Sequence, residues 1–71
     1  MADMIPTPES SHVAAIGWDP DTQDCYVEFN DGDTYKYFDV PESVWIQFQE
    51  SGSKGRFVNI LMRRRFRYEK V

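Results

Sequence analysis

The chain has 71 residues, one cysteine and a net charge of −4. That length makes one small domain with a thin core, leaving no room for a large active-site cavity. A single Cys25 excludes an intrachain disulfide and a thiolate metal site. The apolar runs are too short to cross a bilayer, and no segment reads as a signal peptide, so the expected compartment is the cytoplasm.

Aromatic residues make up 15% of the chain. Each ring buries a large area and so partly offsets the small core. The charge is split along the sequence. Residues 1–53 carry a formal −10, with Lys36 as their one base, and residues 54–71 carry +6. This marks either a localised basic footprint within an acidic protein or two halves that attract each other, within one chain or between chains.

In chain order, residues 1–10 hold two prolines and little periodicity, and read as a flexible tail. Residues 11–71 read as one domain. His12–Trp18 (HVAAIGW) is an apolar run of strand length, in which Gly17 suggests a bulge or a close backbone approach. Asp19-Pro20-Asp21-Thr22-Gln23-Asp24 is a turn cluster. Cys25–Phe29 alternates, placing Cys25, Val27 and Phe29 on one side, with Cys25 as a small buried apolar residue.

Asn30-Asp31-Gly32 turns the chain into a second strand, Asp33–Phe38. Two registers are open. A two-residue turn at Asp31-Gly32 sets Phe29 opposite Thr34 and puts Tyr35 and Tyr37 on the face of Tyr26 and Glu28. A three-residue loop with Gly32 in a left-handed bulge sets Phe29 opposite Asp33, Val27 opposite Tyr35 and Cys25 opposite Tyr37. The second collects the apolar groups on one face and is favoured, because a one-residue slip scatters them. Tyr35 and Tyr37 are then core-edge residues with packed rings and outward hydroxyls.

Pro41 and Glu42 suit the first turn of a helix. Val44, Trp45 and Phe48 form its apolar stripe, and Gly52 suits a left-handed cap. Ser53 is the expected N-cap of a second helix from Lys54 to about Arg64, with Phe57, Ile60 and Leu61 inward. Phe66–Val71 reads as an extended tail or a short edge strand. The expected fold class is α+β: a three-stranded antiparallel β-meander followed by two α-helices packed on one face.

Two stretches could carry chemistry. Ser53-Lys54-Gly55-Arg56 places two bases and a glycine at a helix start, where free N–H groups and the dipole favour anions. That makes it a candidate phosphate or carboxylate cradle, or else an ordinary capped helix with solvated bases. Arg63, Arg64, Arg65 and Arg67 interleave with Phe66 and Tyr68, which suits a nucleic-acid backbone with base stacking. The same cations could instead complement a helix C-terminus. The aspartates from Asp19 to Asp33 lack the glycine and glutamate of a calcium loop. His12, the one histidine, has no nucleophile arrangement beside it. No catalytic residue, metal ligand or cofactor is expected.

The string SxxxAAIGWD, then YVEFNDGDTYKYFDVP, then SxSKGRFVNxxxR resembles the KTSC domain, a small domain found at the C-terminus of some lysyl-tRNA synthetases and as stand-alone bacterial and phage proteins. The resemblance runs from Ser11 to Tyr68. It centres on Gly32-x-x-Tyr35-x-Tyr37 with Val40-Pro41, and on Ser53-x-Gly55-x-Phe57-x-Asn59. It implies RNA binding and carries Tyr35, Tyr37, Ser53, Gly55, Phe57 and Asn59 over as motif positions. Trp18 stands where the family usually has tyrosine, Phe57-Val58 where Tyr-Phe is common, and the arginine run is richer. The reading is a non-catalytic module binding RNA through Ser53, Lys54, Gly55, Arg56, Asn59, Arg63, Arg64 and Arg67, with Gly32, Tyr35, Tyr37 and Phe57 structural. The alternatives are a protein-interaction module, acting as partner or inhibitor of a larger enzyme, and a small-anion or nucleotide binder.

Overall fold

In the computed structural model, which describes residues 3–59 and 65–71, the backbone forms one antiparallel sheet and two helices. The strands are β1 (Ile5–Pro6), β2 (Val13–Asp19), β3 (Asp24–Phe29), β4 (Thr34–Tyr37) and β5 (Tyr68–Lys70); the helices are α1 (Glu42–Glu50) and α2 (Lys54–Phe57). The sheet order is β1-β2-β3-β4-β5.

The α+β class with two helices holds, but the sheet has five strands rather than three. The expected meander, β2-β3-β4, is its centre. Part of the segment read as a tail supplies β1, with Ile5 opposite Ile16 and Pro6 opposite Ala15. Thr7, 3% exposed, donates its hydroxyl to the Val13 carbonyl at 2.6 Å and its N–H to Ala14 O at 3.0 Å. The Ser10 hydroxyl accepts the Val13 N–H. At the other edge, β5 pairs with β4, setting Tyr68 opposite Tyr37 and Lys70 opposite Tyr35.

The hairpin takes the three-residue loop. Val27 faces Tyr35 and Cys25 faces Tyr37, and the Phe29 N–H donates to Asp33 O at 2.8 Å. Gly32 has φ +98°, a backbone region costly to any residue with a Cβ. The sheet irregularity falls between Val13 and Ala15 rather than at Gly17.

Register places Ile16, Val27, Cys25 and Tyr37 on one face, where they form the core with Val13, Val40, Trp45, Phe48 and Val58. Tyr37 is buried as a whole, at 1% exposure, so its hydroxyl does not reach solvent as expected. Tyr35 is half-buried.

Both ends of α1 differ slightly from expectation. Pro41 is the N-cap, with extended ψ 157°, and its carbonyl accepts from Val44 and Trp45. The C-cap is Ser51, extended at φ −64° and ψ 136°, with its N–H bonded to Phe48 O. Gly52 therefore does not act as a left-handed cap. Ser53 caps α2 as expected, its hydroxyl accepting the Arg56 N–H. The expected continuation of that helix through Ile60, Leu61, Arg63 and Arg64 lies outside the described residues.

Cys25 is fully buried in β3, and desolvation pushes its thiol from 9.0 up to about 12. The folded state resists forming the thiolate, so this residue lowers stability only as pH rises above 9.0. From there to about 12 its contribution falls by roughly 1.4 kcal/mol per pH unit. Urea midpoints at pH 8 and pH 10 test this. The wild type is expected to lose about 1 kcal/mol more across that interval than Cys25→Ala, which has no thiol to ionise.

Candidate functional site

A cleft of about 430 Å³ opens where β4 and β5 meet the start of α2. Its aromatic wall is built by register. Phe29 and Tyr35 meet edge to face, with centroids 5.6 Å apart. Tyr68 stacks on Tyr35 at 5.8 Å and lies 5.4 Å from Tyr37. Tyr37 forms the floor, whereas Tyr68 remains 44% exposed. Gly55, Val58 and Asn59 of the α2 segment and His12, just before β2, face this wall.

A Cβ at Gly55 would sit 3.4 Å from the His12 ring, in ordinary van der Waals contact, so the helix start packs closely on His12. The hairpin tip is tied to the same neighbourhood. Asn30 donates its backbone N–H to His12 O at 2.9 Å and its side-chain amide to Ser11 O at 2.8 Å. Asp31 and Asp33 complete the rim. Asp31 Oδ1 accepts the Asp33 N–H at 3.0 Å, and Asp33 pairs with Lys70 at 3.2 Å. Both members of that pair are well exposed, so it contributes little to stability.

The expected anion cradle is not assembled in this form. Lys54 is 7% exposed, and its ammonium donates to Gln49 O at 3.1 Å and to Ser51 O at 2.5 Å. It caps the carbonyl end of α1, where a cation also complements the dipole. The small hollow beside Ser53, Lys54 and Gly55 also includes Glu9, whose carboxylate repels an anion. Arg56 is exposed.

Arg67 lies apart from the cradle. Its guanidinium sits 5.1 Å from the Phe38 ring, which Lys36 approaches at the same distance. Arg63 and Arg64 lie outside the described residues. Phe57 stacks on Phe48 at 5.1 Å.

Of the residues singled out in the sequence, the cleft gathers Tyr35, Tyr37, Gly55 and Asn59. Sequence reasoning missed Tyr68 as the exposed ring of the wall, and His12, Phe29, Asp31 and Asp33 as lining. Alternation in Phe66–Val71 was the available signal for Tyr68, but it could not name the strand that Tyr68 pairs with.

A five-stranded antiparallel sheet, two helices and a motif-lined cleft define a small α+β domain of the KTSC type. The KTSC domain family model matches residues 9–66, and the chain belongs to that family. A lysine–tRNA ligase from Nostoc sp. is 34% identical over 64 residues, covering 90% of this chain and 11% of the ligase. The chain thus spans about a tenth of that relative. A protein from Tsukamurella paurometabola is 42% identical over 59 residues, covering 83% of this chain and 88% of that one. The crystal structure of a KTSC domain protein from Yersinia pestis superposes with a TM-score of 0.90 at 33% identity, covering 100% of this chain and 99% of that one. Among the described residues, no helix is long and apolar enough to cross a membrane.

Proposed function

We propose that this KTSC domain is a non-catalytic RNA-binding module that holds one unstacked base in the aromatic cleft. The observation that carries the reading is the exposed Tyr68 ring, stacked against Tyr35 in a cleft that also contains Asn59 and His12. An aromatic face supplies stacking that any base accepts, and side-chain amide and imidazole groups read base edges. The described cations other than the buried Lys54 are Lys36 on β4, Arg56 on α2, Lys70 on β5, and Arg65 and Arg67 just before β5. None of them lines the cleft, and Lys36 and Arg67 both sit over the Phe38 ring, so on this reading they take phosphates flanking the bound base rather than forming one seat. The similarity to a stretch of lysine–tRNA ligases agrees with an RNA context. Cys25 offers no nucleophile, since it is buried with its thiol at about 12.

The test is fluorescence anisotropy with a labelled, mixed-sequence single-stranded RNA at about 50 and about 200 mM salt. Tyr68→Ala is expected to weaken binding by roughly 5- to 150-fold, the equivalent of about 1–3 kcal/mol for one stacked base. Tyr68→Phe retains the ring and the affinity. Arg67→Ala is expected to flatten the log–log salt slope by about 0.7, one phosphate contact on a single strand. Circular dichroism of each variant confirms the fold. Absence of binding by the wild type at low salt, or unchanged affinity in Tyr68→Ala, overturns the reading.

A further inference from the structure

A second cleft, of about 420 Å³, lies beside α1 at the opposite edge of the sheet, and the RNA reading makes no use of it. Its lining includes Ile5, Trp18 and Trp45, together with Asp3, Asp19 and Asp21. The two indoles are nearly parallel, with centroids 6.3 Å apart and planes at 15°. Trp18 donates its Nε1–H to the Val40 carbonyl at 2.9 Å, which fixes its ring in place. Ile5 is 43% exposed at the cleft wall. Among the described residues that line this cleft, the charged groups are carboxylates and none is a lysine or arginine.

This combination selects a ligand by chemistry. The exposed carboxylates of Asp3 and Asp21 repel a phosphate backbone. Trp45 is 9% exposed and backs the half-buried Trp18, whose indole attracts ammonium and guanidinium groups, most strongly where water is partly excluded. Carboxylates at the rim accept charge-assisted hydrogen bonds from the same groups, while Ile5 offers an apolar contact beside them.

We infer that the Trp18–Trp45 cleft is a docking surface for a basic segment of a protein partner, one that presents an arginine or lysine next to an aliphatic side chain. The domain then has two faces of opposite preference. The β5 edge, with most of the described cations, takes RNA; the β1 edge takes a cationic peptide. The inference does not depend on RNA binding at the other cleft, and either can fail alone.

The chain has two tryptophans, and both lie in this cleft, so intrinsic fluorescence reads its occupancy without a label. The probe is the peptide acetyl-Arg-Leu-Arg-Leu-amide, titrated into the intact chain, with acetyl-Glu-Leu-Glu-Leu-amide as the control. The expected result is a saturable change in indole emission with the basic peptide and none with the acidic one. The double substitution Asp3→Asn, Asp21→Asn, at two exposed positions, is expected to raise the apparent Kd at least about threefold, as two rim ion pairs would. Lys36→Ala leaves it unchanged.

Four results overturn the inference: no saturable change; an equal response to the acidic peptide; an undiminished response in the double variant with its melting curve intact; or the same emission change produced by RNA at low salt. Sedimentation of the chain alone completes the test. Monomeric behaviour supports a foreign partner, and self-association that alters indole emission in the same way overturns it.

Discussion

Phe48→Ala is expected to leave the chain largely unfolded at room temperature. Phe48 is 0% exposed and joins the two helices. It meets Trp45 edge to face at 6.2 Å and stacks on Phe57 at 5.1 Å. Truncating a buried phenylalanine to alanine costs about 3–5 kcal/mol, part lost transfer energy and part cavity. A domain of this size has only about 3–5 kcal/mol in total, so one side chain equals the margin. Urea titration followed by circular dichroism should show a cooperative transition for the wild type and no folded baseline for the variant. Phe48→Leu keeps most of the volume and is expected to fold with a lowered midpoint. An undiminished midpoint in Phe48→Ala would show that the α1–α2 contact is not where stability resides.

Lys54→Met is expected to cost about 2–3 kcal/mol, the range for hydrogen bonds from a charged donor whose loss leaves acceptors unsatisfied. Methionine keeps most of the stem but leaves the carbonyls of Gln49 and Ser51 without the donor they now have. The substitution also discriminates between two roles for a base in the Ser53–Arg56 stretch. A lysine directed into the end of α1 should affect the urea midpoint strongly and RNA affinity by less than about twofold, when binding is measured on folded protein. A phosphate ligand would do the reverse, with binding lost and the midpoint unmoved. Lys54→Arg is not a neutral control, because a planar fork does not replace a compact ammonium between two carbonyls.

The two faces suggested for the domain follow from the charge split. The acidic first 53 residues supply the Trp18–Trp45 cleft, and the basic remainder supplies β5 and the approach to it. The exception is the hairpin tip, where Asp31 and Asp33 reach the rim of the aromatic cleft and Asp33 engages Lys70. That pair is exposed and salt-sensitive, so an approaching RNA phosphate competes for Lys70 with a carboxylate already beside it. Arg56 and Arg67, which form no ion pair among the described residues, carry more of the expected salt dependence.

Local chemistry was enough to read much of this chain. Gly32 and the alternation around it select the hairpin register, because only one register puts Cys25, Val27, Tyr35 and Tyr37 on the same face. The Ser53 cap, the Val44–Phe48 stripe and the burial of Cys25 are likewise properties of neighbouring residues. The spacing of the tyrosines, glycines and Asn59 follows the pattern of the KTSC family.

Tertiary structure decided the rest. Two-residue β1 and three-residue β5 are too short to specify a strand by themselves and become strands because β2 and β4 present unpaired backbone groups to them. The direction of Lys54 is set by where α1 ends in space, so a side chain that looks like an anion ligand in sequence instead caps the preceding helix. Both clefts exist only once strands distant in sequence lie side by side: β4 against β5 brings Tyr68 to Tyr35 and Tyr37, and β1 against β2 brings Ile5 to Trp18. A sequence encodes short-range preferences directly, whereas these placements depend on long-range pairing that no local pattern specifies.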